Sequence, residues 1–535
     1  MSGNLLNKQT VLQGAITLTA AAIIVRILGA LYRVPLGRML GDEGLGIYAV
    51  PNQFYLFFFA LSSAGIPVAL AGLVSEKIAL GHYRDALRAF RITRSAMIVL
   101  GLLFSLLLFA GAGRLISTGL VPNPDAYLGM QAISPVLFFA AVIAAYRGLF
   151  LGLRNMRAVA YSQVMEQVLF VAGTLLFSYL LLPYGLNIAV AGANLGALPG
   201  AVGAALLLVC LYRTQRRELI HLADRDLSGV REGTLSLLKR IFNTALPISF
   251  AGVAMAITAI IDHKLILDRL QLVGYSLDEA VALFGQFNQM AMPFINISIA
   301  LAVALGASLV PAVAESLAVK NHARIKTQLN QAVRLSLVIA LPAAAGLFLL
   351  AHQLTLLVFA EGEAGVPLAA LSAAVVFWSV HLVTSGALQG MGRAMVPVRN
   401  LVIGITIKLL ITYYFTPTPL GIQAAALGTV VIFVVSSLLN IVHLSSLVGF
   451  RFSPVESLLK PGLATIVMSA CVLLVYREAY MLLGGNTWPT VLAVLAGVLV
   501  YPGALVAVGG INSEDVRRLP VIGARAASIL EKIGR

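Results

Sequence analysis

Ser95-Ala-Met-Ile-Val-Leu-Gly-Leu-Leu-Phe-Ser-Leu-Leu-Leu108 runs without a charge, as does Val491-Leu-Ala-Val-Leu-Ala-Gly-Val-Leu-Val-Tyr-Pro-Gly-Ala-Leu505. Neither stretch alternates apolar and polar residues with period two, so neither reads as a strand of a membrane barrel. Both read as helices, which need about 20 residues at about 1.5 Å each to cross a hydrocarbon layer. Outward from these stretches the whole chain looks alike: 59% of its 535 residues are hydrophobic and 11% are charged, with a mean hydropathy of +0.94. A soluble domain carries roughly 25% charged residues to keep its surface wet. A lipid-facing exterior removes that requirement, so the fold class is an all-α integral membrane protein.

About fourteen spans are expected, near residues 10–31, 45–75, 95–116, 128–153, 160–182, 188–212, 241–266, 280–315, 333–352, 366–389, 397–416, 422–446, 460–480 and 487–509. The second and eighth are long enough to tilt, bend or extend beyond a bilayer. No connection is long enough for a separate soluble domain. Cys210 and Cys471 lie in apolar segments, which argues against a disulfide framework or a zinc site. No cofactor is expected. Thr10 onward reads as a retained first span, since no cleavable signal pattern precedes it.

The formal charge of +15 would fit a nucleic-acid binder, but its distribution does not. About 28 of the 37 Lys and Arg fall at the termini and in even-numbered connections, among them Arg84, Arg88, Arg91, Arg216, Arg217, Lys320 and Arg324. About six fall in odd-numbered connections, and Arg26, Arg147 and Lys408 fall inside spans. The basic charge sets topology: both termini are expected in the cytoplasm of a multi-pass protein, with no nucleic-acid partner.

The chain also repeats itself at an offset near 238 residues. Tyr146-Arg-Gly-Leu-Phe-Leu-Gly152 aligns with Thr384-Ser-Gly-Ala-Leu-Gln-Gly390, Pro51-Asn-Gln-Phe54 with Phe287-Asn-Gln-Met290, and Leu73-Val-Ser-Glu76 with Ala312-Val-Ala-Glu315. Six helices per half is an even number, so the halves are expected to be parallel repeats about the membrane normal. The expected organisation is a lobe over residues 1–240, a second over 241–450, and helices 13 and 14 with a tail over 451–535.

Arg26-Ile-Leu-Gly-Ala-Leu-Tyr-Arg33, Leu40-Gly-Asp-Glu-Gly-Leu-Gly-Ile-Tyr48, Ala64-Gly-Ile-Pro-Val-Ala69 followed by Glu76, and Ser162-Gln-Val-Met-Glu-Gln167 after Tyr146-Arg-Gly148 resemble one known group. That group is the stage V sporulation protein B and MurJ-type lipid II flippases of the multidrug/oligosaccharidyl-lipid/polysaccharide (MOP) exporter superfamily. The resemblance covers helices 1 to 12 and extends towards all fourteen. It implies a V-shaped core of two six-helix lobes, two extra helices that form a hydrophobic groove, and alternating access. It also implies an undecaprenyl-diphosphate-linked sugar lipid as partner, a bacterial plasma membrane as location, a coupling cation in some relatives, and a monomer.

Such a cargo needs a wet cationic cleft, and a charge in mid-bilayer costs about 2.5–3.5 kcal/mol on insertion scales, so intramembrane charges are the places to look. Arg26 lies about 24 Å along helix 1 and matches the group's cleft arginine by motif; its planar donor fork suits phosphate. Arg33, seven residues on, shares nearly the same face. The plainer alternative for both is snorkelling to headgroups. Lys408, about 16 Å into helix 11, is a second candidate for the diphosphate or a stand-in for the sodium ion held by some relatives between helices 7, 11 and 12. Its plainer alternative is permanent pairing with Glu166 or Asp262. Glu166 and Asp262 are the candidates for ion coupling or gating, although Asp262 could equally belong to an interfacial cluster with His263 and Lys264. Asn52 and Gln53, matched by Asn288 and Gln289, could hold sugar hydroxyls or glue helices together. Arg147, close to a helix end, is expected to snorkel. Arginines that MurJ-type relatives carry on helices 2 and 8 are missing here, where Gln286-Phe-Asn-Gln289 stands instead.

Two rival classes remain in view. A drug or cation antiporter shares the superfamily fold but favours an acidic cleft. A membrane-embedded glycosyltransferase would need carboxylates in an outer loop, and Asp42-Glu43 reads first as a turn. The chain is therefore expected to be a transporter and not an enzyme.

Overall fold

The computed structural model describes residues 11–63, 65–224, 232–450, 452 and 454–510. Among these residues the regular structure is entirely helical, as expected. Contacts divide the chain into two units, one running to Gln271 and including Tyr275–Gly285, the other from Gln286 onward with Leu272–Gly274.

The first unit contains α1 (Val11–Leu31), α2 (Arg33–Ser62), α3 (Ile66–Ala79), α4 (Tyr83–Ser117) and α5 (Ala126–Gly152). It continues with α6 (Met156–Leu181), α7 (Leu186–Leu195), α8 (Ala197–Asp224), α9 (Thr234–Gln271) and α10 (Leu277–Gly285). The second contains α11 (Met292–Ser298), α12 (Ala300–Ala318), α13 (His322–Leu349), α14 (Ala351–Phe359) and α15 (Gly365–Leu371). After these come α16 (Ala374–Gly390), α17 (Met395–Phe415), α18 (Ile422–Val448), α19 (Lys460–Leu483) and α20 (Thr487–Ala507).

Eleven helical segments of the described chain are long and apolar enough to cross a membrane, and the pair α15–α16, bent by 43°, makes a twelfth. About fourteen spans are expected; α1, whose described apolar stretch is Ala20–Leu31, and α9 lie outside these eleven to twelve. The first turn of the bundle falls at Gly41, whose φ of 67° and ψ of −172° break α2. Only glycine adopts such a backbone at no steric cost. The helical run through Tyr32 therefore continues α1, since Tyr32 itself keeps helical dihedrals. The eighth expected span is not one helix: α10, a π-helical turn over Gln286–Ala291, α11 and α12 share residues 277–318.

The contact-defined units join at Gly285 and Gln286, later than residue 240. The reason is α9, which follows the first unit along its length. The Gly65 N–H donates to Ser249 Oγ at 3.3 Å, a Cβ on Gly252 would lie 3.2 Å from Ala60, and Lys264 Nζ donates to the Gly119 carbonyl at 2.7 Å. Helices α19 and α20 likewise pack on α13 within the second unit, where Tyr501 donates to the Val338 carbonyl and Arg334 to the Gly510 carbonyl at 2.8 Å.

The internal repeat reappears as contacts. In the first unit Gly152 packs against Val74, 2.6 Å from a would-be Cβ; in the second, Gly390 packs against Val313 at 3.0 Å. These are the residues that the sequence aligns with one another. Gly148 and Gly386, one turn earlier, do the same against Leu70 and Gly306. Small residues let helix backbones approach closely where lipid supplies no hydrophobic drive.

Candidate functional site

Three charged residues of the first unit, Arg26, Arg147 and Glu166, line a cavity of about 420 Å³. Helix α1 reaches it where Gly29 passes Gln167 and Tyr32 packs edge-on against Phe170 of α6, with ring centroids 5.2 Å apart. That contact fixes Arg26, less than two turns earlier, on the cavity wall. Asn52 and Tyr55 of α2, Arg147 of α5, and Gln163, Glu166 and Gln167 of α6 complete its polar lining. Ile133, Val136 and Phe170 supply apolar walls.

Helices α5 and α6 form a hairpin whose turn carries Arg154 at a φ of 59° and Asn155, which caps the Ala158 N–H at 3.2 Å. The hairpin brings Arg147 level with the second turn of α6. Its Nε donates to Ser162 Oγ at 3.0 Å and its Nη2 to Glu166 Oε2 at 2.5 Å. The expectation that Arg147 would snorkel is thus overturned: its side chain is 18% exposed and ion-paired. Glu166 neutralises Arg147, so its carboxylate is occupied inside the first unit. Arg26 is exposed and, among the described residues, forms no ion pair within 4 Å. With two guanidiniums and one carboxylate, the cavity keeps one net positive charge, and Arg26 carries it.

The remaining expected residues are placed unequally. Arg33 is half-buried two turns beyond Arg26 and does not line the cavity. Asn52 does line it, but its amide donates to the Tyr48 carbonyl at 2.9 Å and to Asn194 Oδ1 at 3.3 Å, which is helix glue as much as recognition. Gln53 is buried away from the cavity, with neither side-chain polar atom hydrogen-bonded among the described residues. Asp262 is 6% exposed on α9, next to His263, which stacks edge-on against Phe284 at 4.6 Å. Lys264 turns to Asp268 at 3.0 Å.

In the second unit, Lys408 is 5% exposed, its Nζ 5.9 Å from the centre of the Phe287 ring and its Cγ against Gly428. Such a distance is within cation–π range. Asn288 and Gln289 adjoin Phe287 in the π-helical turn, where Gln289 Nε2 donates to Asn288 Oδ1 at 3.1 Å. π-Turns inside α-helices occur frequently at functional sites. A polar knot that the sequence reading missed lies nearby on α16, α17 and α18: Asn440 donates to Thr384 and Ser385 at 3.2 Å and accepts from Asn400 at 2.8 Å. An apolar groove of about 490 Å³ runs between α13, α19 and α20, lined by Val338, Gly346, Met468, Val472, Gly497 and Val498 among others. The two helices outside the repeat thus form one of its walls. No group of three or more His, Cys, Asp or Glu side chains suited to a metal occurs among the described residues.

Known proteins resemble the chain throughout its length. The family profile described as "Polysaccharide biosynthesis protein" matches residues 11–317, and that described as "MatE" matches residues 287–414. "Stage V sporulation protein B" of Bacillus subtilis (strain 168) is 26% identical over 518 residues, which cover 96% of this chain and 99% of that protein. "Lipid II flippase MurJ" of the same organism is 26% identical over 496 residues, 88% of this chain and 89% of that one. The solved structure "Lipid II flippase MurJ, inward closed conformation" superposes with a TM-score of 0.68 at 16% identity, covering 91% of this chain and 98% of that chain. With its helical fold and a profile match over more than half its length, the chain belongs to the polysaccharide biosynthesis protein family and is a multi-pass transporter or flippase of the MOP exporter superfamily.

Proposed function

We propose that this protein moves an undecaprenyl-diphosphate-linked cell-wall precursor from the inner to the outer leaflet by alternating access, with lipid II the leading cargo. The observation that carries the reading is Arg26, a guanidinium on the wall of a membrane-embedded cavity whose other arginine is already neutralised. A diphosphate offers paired oxygens to its donor fork, and amides such as Asn52, Gln163 and Gln167 suit sugar hydroxyls. Arg33 and Lys408 are the further cations for the diphosphate, while Gln53, Asn288 and Gln289 are proposed sugar contacts as the site opens. Glu166 and Asp262 are the proposed ion-coupling or gating carboxylates. The groove against α19 and α20 supplies apolar surface for the polyprenyl tail. The names of the stage V sporulation and lipid II flippase relatives support the same class of cargo. The protein is proposed to act as a monomer, with both termini cytoplasmic and without a cofactor.

The test is leaflet accessibility of lipid II in cells whose own flippase is depleted and replaced by this protein. Wild type should restore outer-leaflet lipid II, and matched levels of Arg26→Ala and Lys408→Ala should not. A well-expressed wild type that leaves lipid II inside removes it as cargo. A cation-coupled drug antiporter draws on the MatE match over residues 287–414. It would be indicated by ion-driven efflux of a cationic dye that Arg26→Ala leaves intact.

A further inference from the structure

A second cavity, of about 690 Å³, lies at the basic ends of α4 and α8 and shares no lining residue with the first. Arg84, Arg88 and Arg91 come from the first turns of α4, and Arg216 from the last turns of α8. Its floor is Tyr212, 9% exposed and held by Phe90 and Tyr146 at centroid distances of 5.1 and 5.7 Å. Two carboxylates, Asp85 and Glu232, also line it. Both are satisfied by cations that do not: Lys77 Nζ lies 3.7 Å from Asp85 and 2.7 Å from Glu232, and Arg240 lies 3.3 Å from Glu232. Among the described residues Arg88 donates to neutral acceptors, the Glu232 carbonyl at 2.8 Å and Thr234 Oγ1 at 2.7 Å. Arg240 also pairs with Glu76 at 2.8 Å, so the described residues of the cluster hold six cations, Arg84, Arg88, Arg91, Arg216, Lys77 and Arg240, against the three carboxylates Asp85, Glu232 and Glu76, a surplus that suits anions.

Its surroundings select a lipid. Arg91 lies about one turn before the apolar stretch of α4 begins at Ser95, and Arg216 about one turn after that of α8 ends at Leu211, which puts the cavity at headgroup level. Ile98, Val99, Leu102 and Leu106 follow Arg91 at helical spacing on the same face, and all are exposed, Val99 to 66%. Ile220, 40% exposed, stands on the rim. A phosphate seated among the arginines would lead its acyl chains straight onto that apolar stripe.

We propose that this cavity binds the phosphate headgroup of an anionic phospholipid from the leaflet on the basic, cytoplasmic side. Basic pockets at this level between spanning helices are suited to such headgroups. The site is separate from the cargo cavity, so its test is independent of the flippase reading and uses no cargo.

The full-length protein, purified in neutral detergent and stripped of lipid, is titrated with dioctanoyl phosphatidylglycerol, dioctanoyl phosphatidylcholine or inorganic phosphate while its thermal midpoint is read. The anionic lipid should raise the wild-type midpoint saturably, while the zwitterionic lipid and free phosphate should not. Arg91→Gln/Arg216→Gln should need about 30-fold more anionic lipid for the same shift. Arg324→Gln, at an exposed ion pair in the second unit, should titrate as wild type. Arg216→Gln alone, at an exposed position, carries the same prediction at smaller size should the double variant fold poorly. Equal titration of Arg216→Gln and wild type, an equal response to phosphatidylcholine, or an equal shift with inorganic phosphate alone would each overturn the proposal.

Discussion

The matching regions of the two halves have kept their packing and parted in their chemistry. Val74 against Gly152 in the first unit and Val313 against Gly390 in the second are the same contact made twice. Around that shared scaffold the first unit opens a charged cavity with Arg26 on its wall, whereas the second buries Lys408 beside Phe287. Asn52 stands on an α-helix after Pro51, while its counterpart Asn288 stands in a π-helical turn. The repeat thus specifies where helices touch, while the charged residues placed on it differ between the units.

The largest expected effect separates the two cations. Arg26→Ala should lower transport by about 100-fold, equivalent to losing a charge-assisted fork of about 3 kcal/mol. Lys408→Ala, at a buried position, should lower it by about tenfold, and equal losses would erase the distinction. A proteoliposome assay of labelled polyprenyl-diphosphate sugar gives both numbers. Next in size is packing. A Cβ on Gly386 would lie 2.1 Å from the Gly306 carbonyl oxygen, a backbone atom. Gly386→Ala should therefore cost about 1–3 kcal/mol, read as a lowered thermal midpoint. A Cβ on Gly148 would meet Leu70 Cβ at 3.0 Å and the Pro67 backbone Cα at 3.2 Å, longer approaches than that at Gly386, so Gly148→Ala should lower the midpoint less, alanine's better helix propensity offsetting about 1 kcal/mol.

The amides sharpen the contrast from another side. Asn440→Ala removes four side-chain hydrogen bonds, to Asn400, His381, Thr384 and Ser385, and should cost about 1–2 kcal/mol of stability with transport nearly unchanged. Asn52→Ala should do the reverse, reducing transport a few-fold with a small change in midpoint. The smallest effect concerns pH. Hydrogen bonds from Lys77 and then Ser236 hold the Glu232 carboxyl below its ordinary value of about 4.3. A lowered folded-state pKa gives stability that is fully present above that ordinary value and lost as pH falls through the lowered one. Acidification in that window should lower the wild-type midpoint more than that of Glu232→Gln.

The spans were legible because hydropathy is a local property: 20 apolar residues have one affordable environment whatever their neighbours. A turn was legible at Asp42-Glu43 from its turn-forming residues, and the break itself falls one residue earlier, at Gly41. The first unit's site was legible only in part. Arg26 and Asn52 were found by motif and matched position, and both line the cavity. Arg147 was misjudged because its place near a helix end favours snorkelling, and only the α5–α6 hairpin brings Ser162 and Glu166 to it. A usable signal existed, since Arg147 and Ser162 stand at similar distances on either side of the turn at Leu153–Asn155. No such signal marked the Asn400–Asn440 knot, whose members lie on three helices at separations that no local pattern connects.

The most direct measurement is binding of undecaprenyl diphosphate to the purified full-length protein, comparing wild type with Arg26→Ala and Arg147→Ala at matched thermal midpoints. If the first unit's cavity holds the diphosphate through Arg26, that variant should bind about 30-fold more weakly or worse, and Arg147→Ala, whose charge Glu166 already neutralises, should lose distinctly less. Unchanged affinity in Arg26→Ala, with the fold intact, would contradict the assignment and move the headgroup site out of this cavity.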